Sequence, residues 1–250
     1  MIQADLSGKT ALVTGASSGF GAHFSRVLAG AGARVIAAAR RQDRLMALVS
    51  DIERAGGQAT ALALDVSDPD AVQAAFERIG PVDVLVNNAG VSGATRPLET
   101  PAEEWRWTYD VNVHGVWYVA QAAAQRMVEA GRGGSIVNVA SITAARPAKG
   151  NVAYASSKAA VAHMTRCLAL DWARHGIRVN ALAPGYFETD INREFLASDY
   201  GERMIKRIPQ RRTGRMEDLD GPLLLLASDA SAYMTGSLLA VDGGHLCGEL

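Results

Sequence analysis

Short apolar runs rich in β-branched residues alternate along this chain with longer segments of helical periodicity, and no other feature limits the fold as strongly. The runs lie at positions 10–13, 34–38, 60–64, 82–86, 135–139, 178–183 and 237–241. Most are continuously apolar, as expected for strands buried on both faces of a parallel sheet. The segments between them predict helices at positions 20–28, 43–54, 69–79, 105–127, 155–174 and 218–226. This pattern predicts an α/β fold: a single doubly wound Rossmann-type domain with a parallel sheet of about seven strands and helices on both faces.

One domain spanning residues 1–250 accounts for the whole pattern, because no second domain, internal repeat or low-complexity stretch is visible. The largest irregular segment, residues 185–215, is rich in arginine and follows a strand. Ligands of α/β sheets bind outside the carboxyl ends of the strands. We therefore expect this segment to be a substrate loop beside a cofactor site in the same domain. The alternative is a surface loop with two short helices.

Charge and composition argue against several classes of protein. The 25 basic and 26 acidic residues give a net charge of −1, which provides no basic field for nucleic acid. The longest uncharged run, residues 10–25, holds five hydroxyl side chains and three glycines, so no membrane span is expected. No secretory signal is visible. Cys167 is expected in the core rather than in a disulfide, so a cytoplasmic setting is predicted.

The first predicted strand leads into a glycine-rich turn with the spacing Gly-x3-Gly-x-Gly. Glycine permits a tight turn and a close approach of the backbone to a diphosphate, and the start of the next helix favours an anion. The alternative is simple packing of a strand against a helix. The residues predicted to hold a dinucleotide here are Gly15, Ser17, Ser18, Gly19, Phe20 and Gly21.

The end of the second strand predicts which dinucleotide binds. NAD sites usually carry Asp or Glu there for the ribose 2′-hydroxyl, whereas this chain has Arg40 and Arg41. Guanidinium groups can hold a 2′-phosphate through charge-assisted hydrogen bonds, so NADP(H) is favoured and NAD(H) is possible. Arg41 could instead simply begin an exposed helix. Asp65 and Val66, at the end of the third strand, are expected beside the adenine, and the alternative for Asp65 is a helix cap.

Tyr154 and Lys158 lie four positions apart on a predicted helix, and Ser141 closes the fifth strand thirteen residues earlier. The spacing places Tyr154 and Lys158 on one helix face, although such a pair could also be solvated. Interconversion of an alcohol and a ketone needs an acid or base for the oxygen. A tyrosine pKa of about 10 must fall by about three units for this work near neutrality, and a nearby ammonium supplies much of that change. A serine hydroxyl can donate to the substrate oxygen.

The motifs along the chain stand in the order and spacing of a known family. The chain resembles the short-chain dehydrogenase/reductase family, and its 3-oxoacyl-carrier-protein-reductase-like members, from about residue 6 to residue 244. The matching motifs are residues 14–21, Asp65, Asn87-Asn88-Ala89-Gly90, Asn112-Val113-His114-Gly115, Ser141, Tyr154-x3-Lys158, and Asn180 with Pro184-Gly185. The departures from the family pattern are Phe20, Met216 and a glycine-free loop at residues 142–145.

The resemblance implies a role for each candidate catalytic residue. Tyr154 is expected to be the general acid/base, and Ser141 to bind and orient the substrate oxygen. Lys158 is expected to lower the pKa of the tyrosine and hold the nicotinamide ribose, and Asn112 to position a water in a proton relay. Besides Tyr154 and Lys158, the implied contacts of the nicotinamide half are Asn88, Ala89, Gly90, Pro184, Gly185, Phe187 and Thr189. The family also implies a homotetramer, or a homodimer, built through the long helices and the last strand.

Other side chains leave alternatives open. Five scattered histidines show no ligand spacing, so no metal site is expected. The residues expected in the core or at subunit contacts are Trp105, Trp107, Trp117 and Trp172. The candidate substrate contacts are Tyr186, Phe187 and Phe195. Arg146 and Lys149 either meet an anionic substrate or stay solvated.

The sequence therefore predicts an NADP(H)-dependent oxidoreductase that interconverts a secondary alcohol and a ketone, with a small molecule as its substrate. The alternatives are a 3-oxoacyl thioester reductase, an NAD-dependent sugar, polyol or hydroxysteroid dehydrogenase, and a nucleotide-binding sensor without activity. Ser141 lacks the Gly-x-Ser-x-Gly frame of a serine hydrolase, which argues against hydrolysis. The set formed by Asn112, Ser141, Tyr154 and Lys158 argues against the sensor.

Overall fold

Seven parallel strands form one sheet in the computed structural model of the protein, which describes residues 4–93, 95–188, 196 and 198–248. The strands are β1 Thr10–Thr14, β2 Arg34–Ala39, β3 Gln58–Ala63, β4 Val84–Asn87, β5 Gly134–Val139, β6 Ile177–Pro184 and β7 Leu238–Val241. Their order is β3-β2-β1-β4-β5-β6-β7, and every neighbouring pair is parallel. All seven predicted strands are present, with ends within two residues of the predicted positions.

Helices cover both faces of this sheet. They are α1 Gly19–Gly30, α2 Gln42–Arg54, α3 Pro69–Ile79, α4 Ala102–Tyr109, α5 Gly115–Glu129, α6 Val152–Trp172, α7 Asp199–Ile205 and α8 Asp220–Ala227. Phe24, Leu45 and Leu223, from α1, α2 and α8, are buried against one face. Phe76 and Met127, from α3 and α5, are buried against the other face. The predicted α/β class is therefore confirmed. None of these helices in the described part of the chain is both long and apolar enough to cross a bilayer.

The strand order places a crevice at the centre of the sheet. The chain passes from β1 to β2 on one side, and β4 returns on the other side of β1. In such sheets ligands bind at the carboxyl ends of the strands where the order reverses. The loops that follow β1, β4 and β5 meet at this edge, and they carry the glycine turn, the segment from Asn88 to Gly90, and Ser141.

The segment predicted as one helix at 105–127 is divided in the structure. Helix α4 ends at Tyr109, a π turn spans Asp110–His114, and α5 begins at Gly115. A π turn adds one residue to a helical turn, yet the buried positions 108, 111, 115 and 119 keep a spacing of three or four residues across it, so the sequence pattern does not mark the division. Asn112 lies fully buried within this turn.

One expectation about burial is corrected, and a second is corrected in part. Cys167 is exposed, because the buried face of α6 passes through Thr165 and Leu168 on either side of it. Trp105 and Trp107 lie outside the core, with exposed fractions of 38% and 42% on the short helix α4, and a subunit contact stays a prediction for both.

Candidate active site

The glycine turn between β1 and α1 packs closely against neighbouring backbone at two of its glycines and is open at the remaining one. A Cβ atom at Gly15 would lie 2.8 Å from the Cα of Ala89, and one at Gly21 would lie 2.3 Å from the carbonyl oxygen of Gly15. Gly19 has a φ of +51°, and a Cβ atom there would meet no atom of the described residues within 4 Å. The first and third glycines are thus needed for packing, whereas the second leaves the backbone at the start of α1 open to a ligand.

The segment after β4 is bonded to the glycine turn. The Thr14 hydroxyl accepts hydrogen bonds from the backbone N–H groups of Asn88 and Ala89, at 3.0 and 3.1 Å. The Asn88 amide donates in return to the Thr14 carbonyl at 2.9 Å. A Cβ atom at Gly90 would lie 3.4 Å from Lys158 Nζ. Asn88, Ala89 and Gly90 therefore connect the glycine turn with the lysine on α6.

Basic and hydroxyl side chains gather beside the end of β2. The Arg41 guanidinium donates to Ser17 Oγ at 2.8 Å and to Ser18 Oγ at 2.9 Å. Arg40 lies 3.8 Å from a carboxylate oxygen of Asp65. Arg41 does precede α2, as the alternative interpretation expected, but its side chain turns back onto the glycine turn. The structure thus brings both arginines and two hydroxyls to the place expected for a 2′-phosphate.

Asp65 is fixed by its own loop and does not cap a helix. Its carboxylate accepts hydrogen bonds from the Ser67 backbone and hydroxyl at 3.0 and 2.7 Å, and the N-cap of α3 is Asp68. Partial burial raises the pKa of Asp65, but the bonds from Ser67 and the charge of Arg40 outweigh burial and hold the pKa below its ordinary value. The helix-cap alternative is wrong, because Asp68 fills that role. Val66 is buried in the core behind the carboxylate.

Ser141 lies just beyond β5, at the start of a 3₁₀ turn spanning Ile142–Ala144. Its hydroxyl oxygen accepts one hydrogen bond from the backbone N–H of Thr143 at 3.1 Å and another from the Thr143 hydroxyl at 3.0 Å. The side chain is almost fully buried. Through its hydroxyl, Ser141 also lowers the pKa of the neighbouring Tyr154 phenol.

Tyr154 stands in the first turn of α6. The Asn151 side chain caps this helix by accepting from the Tyr154 backbone N–H at 3.2 Å. Burial raises the pKa of the Tyr154 phenol, the hydrogen bond from Ser141 lowers it, and the nearby Tyr186 raises it further, so the pKa lies above its ordinary value of 10.0. The phenol on its own therefore keeps its proton at neutral pH.

Lys158 follows one helical turn later on the same face. Its Nζ lies 5.7 Å from the centre of the Tyr154 ring and donates to the Val139 carbonyl at 2.8 Å. The side chain is buried, and burial lowers the pKa of the ammonium from 10.5 to about 8. The structure therefore brings together a hydroxyl, a phenol and an amine from β5 and α6. This arrangement can exchange one proton with an oxygen-bearing ligand.

Asn112 bonds to the segment after β4 and to α6, which lie on two sides of the site. Its amide donates to the Val91 carbonyl at 2.9 Å and to Ser157 Oγ at 3.0 Å, and its carbonyl accepts from the Val91 backbone N–H at 2.8 Å. Ser157 immediately precedes Lys158 on α6. Both amide protons of Asn112 are engaged, so a water could be held only by its second carbonyl lone pair or by the backbone.

The segment after β6 closes the crevice from the other side. The Gly185 backbone N–H donates to the Val241 carbonyl at 2.9 Å, and a Cβ atom at Gly185 would lie 2.8 Å from the Cα of Asp242. Glycine thus lets β6, which ends at Pro184, turn closely past the end of β7. The predicted contact Thr189 lies outside the described residues.

An aromatic cluster explains one departure from the family pattern. The rings of Phe20 and Phe187 meet edge to face at 5.5 Å, and Phe20 stacks on Phe24 at 5.8 Å. Phe20 therefore connects the glycine turn with the segment after β6. The Phe187 side chain is buried in this cluster, which leaves little of its ring exposed to a substrate. Phe195, another predicted substrate contact, lies outside the described residues.

Residues near the carboxyl end of the chain also reach the site, which the sequence did not indicate. The Tyr186 and His245 rings lie 5.5 Å apart. Arg146 donates to the carbonyl groups of His245 and Gly248 at 3.3 and 3.5 Å. Its guanidinium group is therefore partly engaged with residues near the carboxyl end of the chain. Lys149 is exposed. No local sequence signal announces a contact across about one hundred positions.

Comparison with known proteins agrees with this geometry. The family model for short chain dehydrogenases matches residues 9–199. A gluconate 5-dehydrogenase of Gluconobacter oxydans is 40% identical over 96% of this chain and 95% of its own. An L-rhamnose 1-dehydrogenase (NAD(P)(+)) of a Sphingomonas species is 43% identical over 96% of both chains. The crystal structure of a gluconate 5-dehydrogenase from Burkholderia cenocepacia in complex with NADP and tartrate superposes with a TM-score of 0.94 at 35% identity, covering 99% of this chain and 98% of the other. The predicted resemblance is confirmed, and the chain belongs to the short-chain dehydrogenase family.

Proposed function

We propose that this protein is an NADP(H)-dependent oxidoreductase that interconverts a secondary alcohol and a ketone, with Tyr154 as its general acid and base. The observation that carries the proposal is the contiguous set of Ser141, Tyr154 and Lys158 at the carboxyl end of β5, next to Gly90 in the crevice. A phenol between a hydroxyl donor and an amine is suited to move a proton to or from a carbonyl oxygen. One domain would hold both the cofactor and the substrate, and residues 185–215 would form the substrate loop.

The crevice fits a phosphorylated dinucleotide. The open face at Gly19 and the start of α1 suit a diphosphate. Arg41, held by Ser17 and Ser18, would bind a 2′-phosphate together with Arg40. The Burkholderia relative was crystallised with NADP, and the Sphingomonas relative is named for both cofactors. NADP(H) is therefore favoured, and NAD(H) is possible.

The other cofactor contacts follow the crevice from the adenine to the nicotinamide. Asp65 and Val66 would border the adenine. Tyr154 and Lys158 would hold the nicotinamide ribose, and the backbone around Pro184, Gly185, Phe187 and Thr189 the carboxamide. The segment expected between the two ends contains Asn88, Ala89 and Gly90.

The chain supplies the proton and the cofactor supplies the hydride. The nicotinamide, when bound, exchanges a hydride with the substrate carbon. During ketone reduction the Tyr154 phenol donates its proton to the carbonyl oxygen, while Ser141 donates a hydrogen bond to the same oxygen. During alcohol oxidation the Tyr154 phenolate takes the hydroxyl proton. Because burial raises the pKa of Tyr154, the positive charge of Lys158 is needed to stabilise the phenolate. Asn112 would hold a water that passes protons towards Lys158.

A small polar alcohol of the sugar or sugar-acid class fits the site best. The two relatives described above are named for gluconate and rhamnose, and the tartrate in the Burkholderia crystal is a polyhydroxy acid. Polar side chains lie beside Tyr154: Asn151 accepts from its backbone N–H, and Tyr186 is near enough to raise its pKa.

Reduced-nicotinamide absorbance tests the proposal directly. Purified protein is assayed with NADP⁺ and NAD⁺ against aldonates, aldoses and polyols, and with NADPH and NADH against keto-sugar acids, simple ketones and a 3-oxoacyl thioester. We expect turnover with NADP(H) on polyhydroxy compounds. Tyr154→Phe should lose at least 99% of kcat while keeping NADPH affinity within about threefold, since a phenol-to-phenyl change removes only the proton-transfer group. Turnover of the 3-oxoacyl thioester alone would show that the substrate is a thioester and not a polyhydroxy compound. Binding of NADPH without turnover of any compound would favour a nucleotide-binding sensor.

Two broader proposals concern the whole chain. We propose a homotetramer whose first contact is the face formed by α5 and α6, where Trp117 and Trp172 border a groove of about 400 Å³. The half-exposed edge strand β7 would supply the second contact. The free, exposed thiols of Cys167 and Cys247 support a reducing, cytoplasmic setting.

A further inference from the structure

We propose that Thr143 is a positioning residue that makes the Ser141 hydroxyl an obligatory hydrogen-bond donor towards the reacting oxygen. The inference rests on the proposed function and adds a residue for which the sequence predicted no role. It stands on the two hydrogen bonds that Thr143 makes to Ser141 Oγ.

A serine hydroxyl has one proton to donate and two lone pairs that accept. At Ser141 the Thr143 backbone N–H occupies one lone pair at 3.1 Å, and the Thr143 hydroxyl, 3.0 Å away, occupies the other in the hydrogen-bond direction that this proposal assigns. Ser141 can therefore form a further hydrogen bond only by donating. The group available for that donation is the Tyr154 phenolic oxygen or a substrate oxygen beside it.

The direction of this bond decides where the Tyr154 proton can go. If Ser141 had a free lone pair, the phenol could donate its proton to Ser141, which would stabilise the neutral tyrosine and hold its proton away from the substrate. With both lone pairs filled, the phenol must present its proton elsewhere. The chain of bonds from Thr143 through Ser141 to Tyr154 also polarises each donor in turn. Thr143 thus assists both the release of the proton and the stability of the phenolate.

The local backbone explains why Thr143 holds this position. Ser141 begins a 3₁₀ turn spanning Ile142–Ala144, and this turn directs the Thr143 N–H at Ser141 Oγ. The Thr143 hydroxyl then completes the second bond from the same residue. The loop carries no glycine, and Ile142 is buried beneath it, so the turn is held in place.

The test compares Thr143→Val, which removes the hydroxyl but keeps the shape and the backbone N–H, with Thr143→Ser, which keeps the hydroxyl. In Thr143→Val we expect kcat for alcohol oxidation to fall roughly fivefold, and its pH profile to move to higher pH by about half a unit or more. Thr143→Ser should restore both quantities. Thr143→Ala provides a second hydroxyl-free variant if the valine variant folds poorly. Thr108→Val, which removes the hydroxyl of a buried threonine on α4, controls for a general effect of such substitutions.

A titration that needs no substrate separates this inference from the proposed function. The phenolate absorbance of Tyr154 is obtained as the difference between each protein and its counterpart carrying Tyr154→Phe. We expect the Tyr154 titration to move to higher pH in both hydroxyl-free variants and to return with Thr143→Ser. An unchanged titration in Thr143→Val and Thr143→Ala would overturn the role of Thr143, whatever the enzyme turns over. Absence of activity in the unsubstituted protein would instead count against the proposed function alone.

Discussion

Burial acts in opposite directions on the two ionisable groups at the centre of the site. It raises the pKa of Tyr154 and lowers that of Lys158 to about 8, so each group alone is driven towards its neutral form. A phenolate and an ammonium side by side stabilise each other's charge, whereas burial destabilises either charge alone. The site therefore couples the proton of Tyr154 to the charge of Lys158. Removing one partner should alter the titration of the other.

The free energy of unfolding of the cofactor-free protein should depend on pH through Lys158. Its pKa falls from 10.5 in the unfolded chain to about 8 in the folded protein. Between these values the unfolded chain binds a proton that the folded protein has lost, so the free energy of unfolding rises with pH. Relative to Lys158→Met, the unfolding free energy of the natural protein should rise by roughly 3 kcal/mol from pH 8 to pH 10.5. Denaturant titrations of both proteins measure this difference, and a flat or falling difference would contradict the buried, depressed amine.

Cofactor preference should depend on Arg41 more than on its neighbours in sequence. Arg41 is bonded to Ser17 and Ser18 and is thereby held at the edge of the crevice. Loss of charge-assisted bonds to a 2′-phosphate costs about 2 kcal/mol, so Arg41→Ala should weaken NADPH binding about 30-fold and leave NADH binding within about twofold. Arg40→Ala should act in the same direction. Arg44→Ala, an exposed arginine on the same helix, is the matched control and should change neither affinity. Equal losses for both cofactors, measured by fluorescence titration, would place the arginines outside the 2′-phosphate site.

At the scale of elements, the sequence predicted strands better than helices. Buried parallel strands are continuous apolar runs bounded by glycine or polar residues, and this local signal marks their ends to within two residues. The division of the helix at 105–127 was missed, because a π turn at Asp110–His114 adds a residue without disturbing the apolar stripe. Its cause is not local: Asn112 is bonded to Val91, twenty-one positions earlier, and to Ser157, forty-five positions later.

The candidate site shows the same division between local and distant causes. The glycine turn and the pair Tyr154 and Lys158 could be predicted, since their spacing within one turn or helix determines their chemistry. The bonds from Thr143 to Ser141 were not predicted, because they depend on the 3₁₀ turn that the backbone adopts there. The anchoring of the chain's end by Arg146 could not be predicted either, because no pattern links positions so far apart.

The start of α6 depends on one side chain with two functions. Asn151 accepts from the Tyr154 backbone N–H, and its amide donates to Ser92 Oγ at 2.5 Å across the crevice. Asn151→Ala removes the cap and should destabilise the protein by about 1 kcal/mol. Asn151→Asp keeps an acceptor at the helix start, so its denaturation midpoint should stay close to that of the natural protein. Equal losses of stability in both variants would show that the contact with Ser92, and not the cap, provides the stabilisation.

At the scale of the whole molecule, two exposed surfaces of the described residues bear on assembly. One is the groove between α5 and α6, where Trp117 and Trp172 stack at 6.5 Å and pack against the core from its edge. The other is β7, the last strand of the sheet, which has a hydrogen-bonded neighbour on one side alone within the described residues. The net charge of −1 produces little repulsion between copies. Both surfaces suit contact with another copy of the chain.

A substitution at the groove should separate subunits without unfolding them. Val128 borders the groove with 43% of its surface exposed, so Val128→Glu places a charge on this face and leaves the interior unchanged. Burying that carboxylate against a second copy would be unfavourable, and we expect light scattering after size exclusion to report half the mass of the natural assembly. Met46→Glu is the matched control, because Met46 is 55% exposed on α2, which packs against the opposite face of the sheet. An unchanged mass for Val128→Glu would exclude the α5 and α6 face from the assembly. An equal loss of mass in both variants would indicate a general response to added charge.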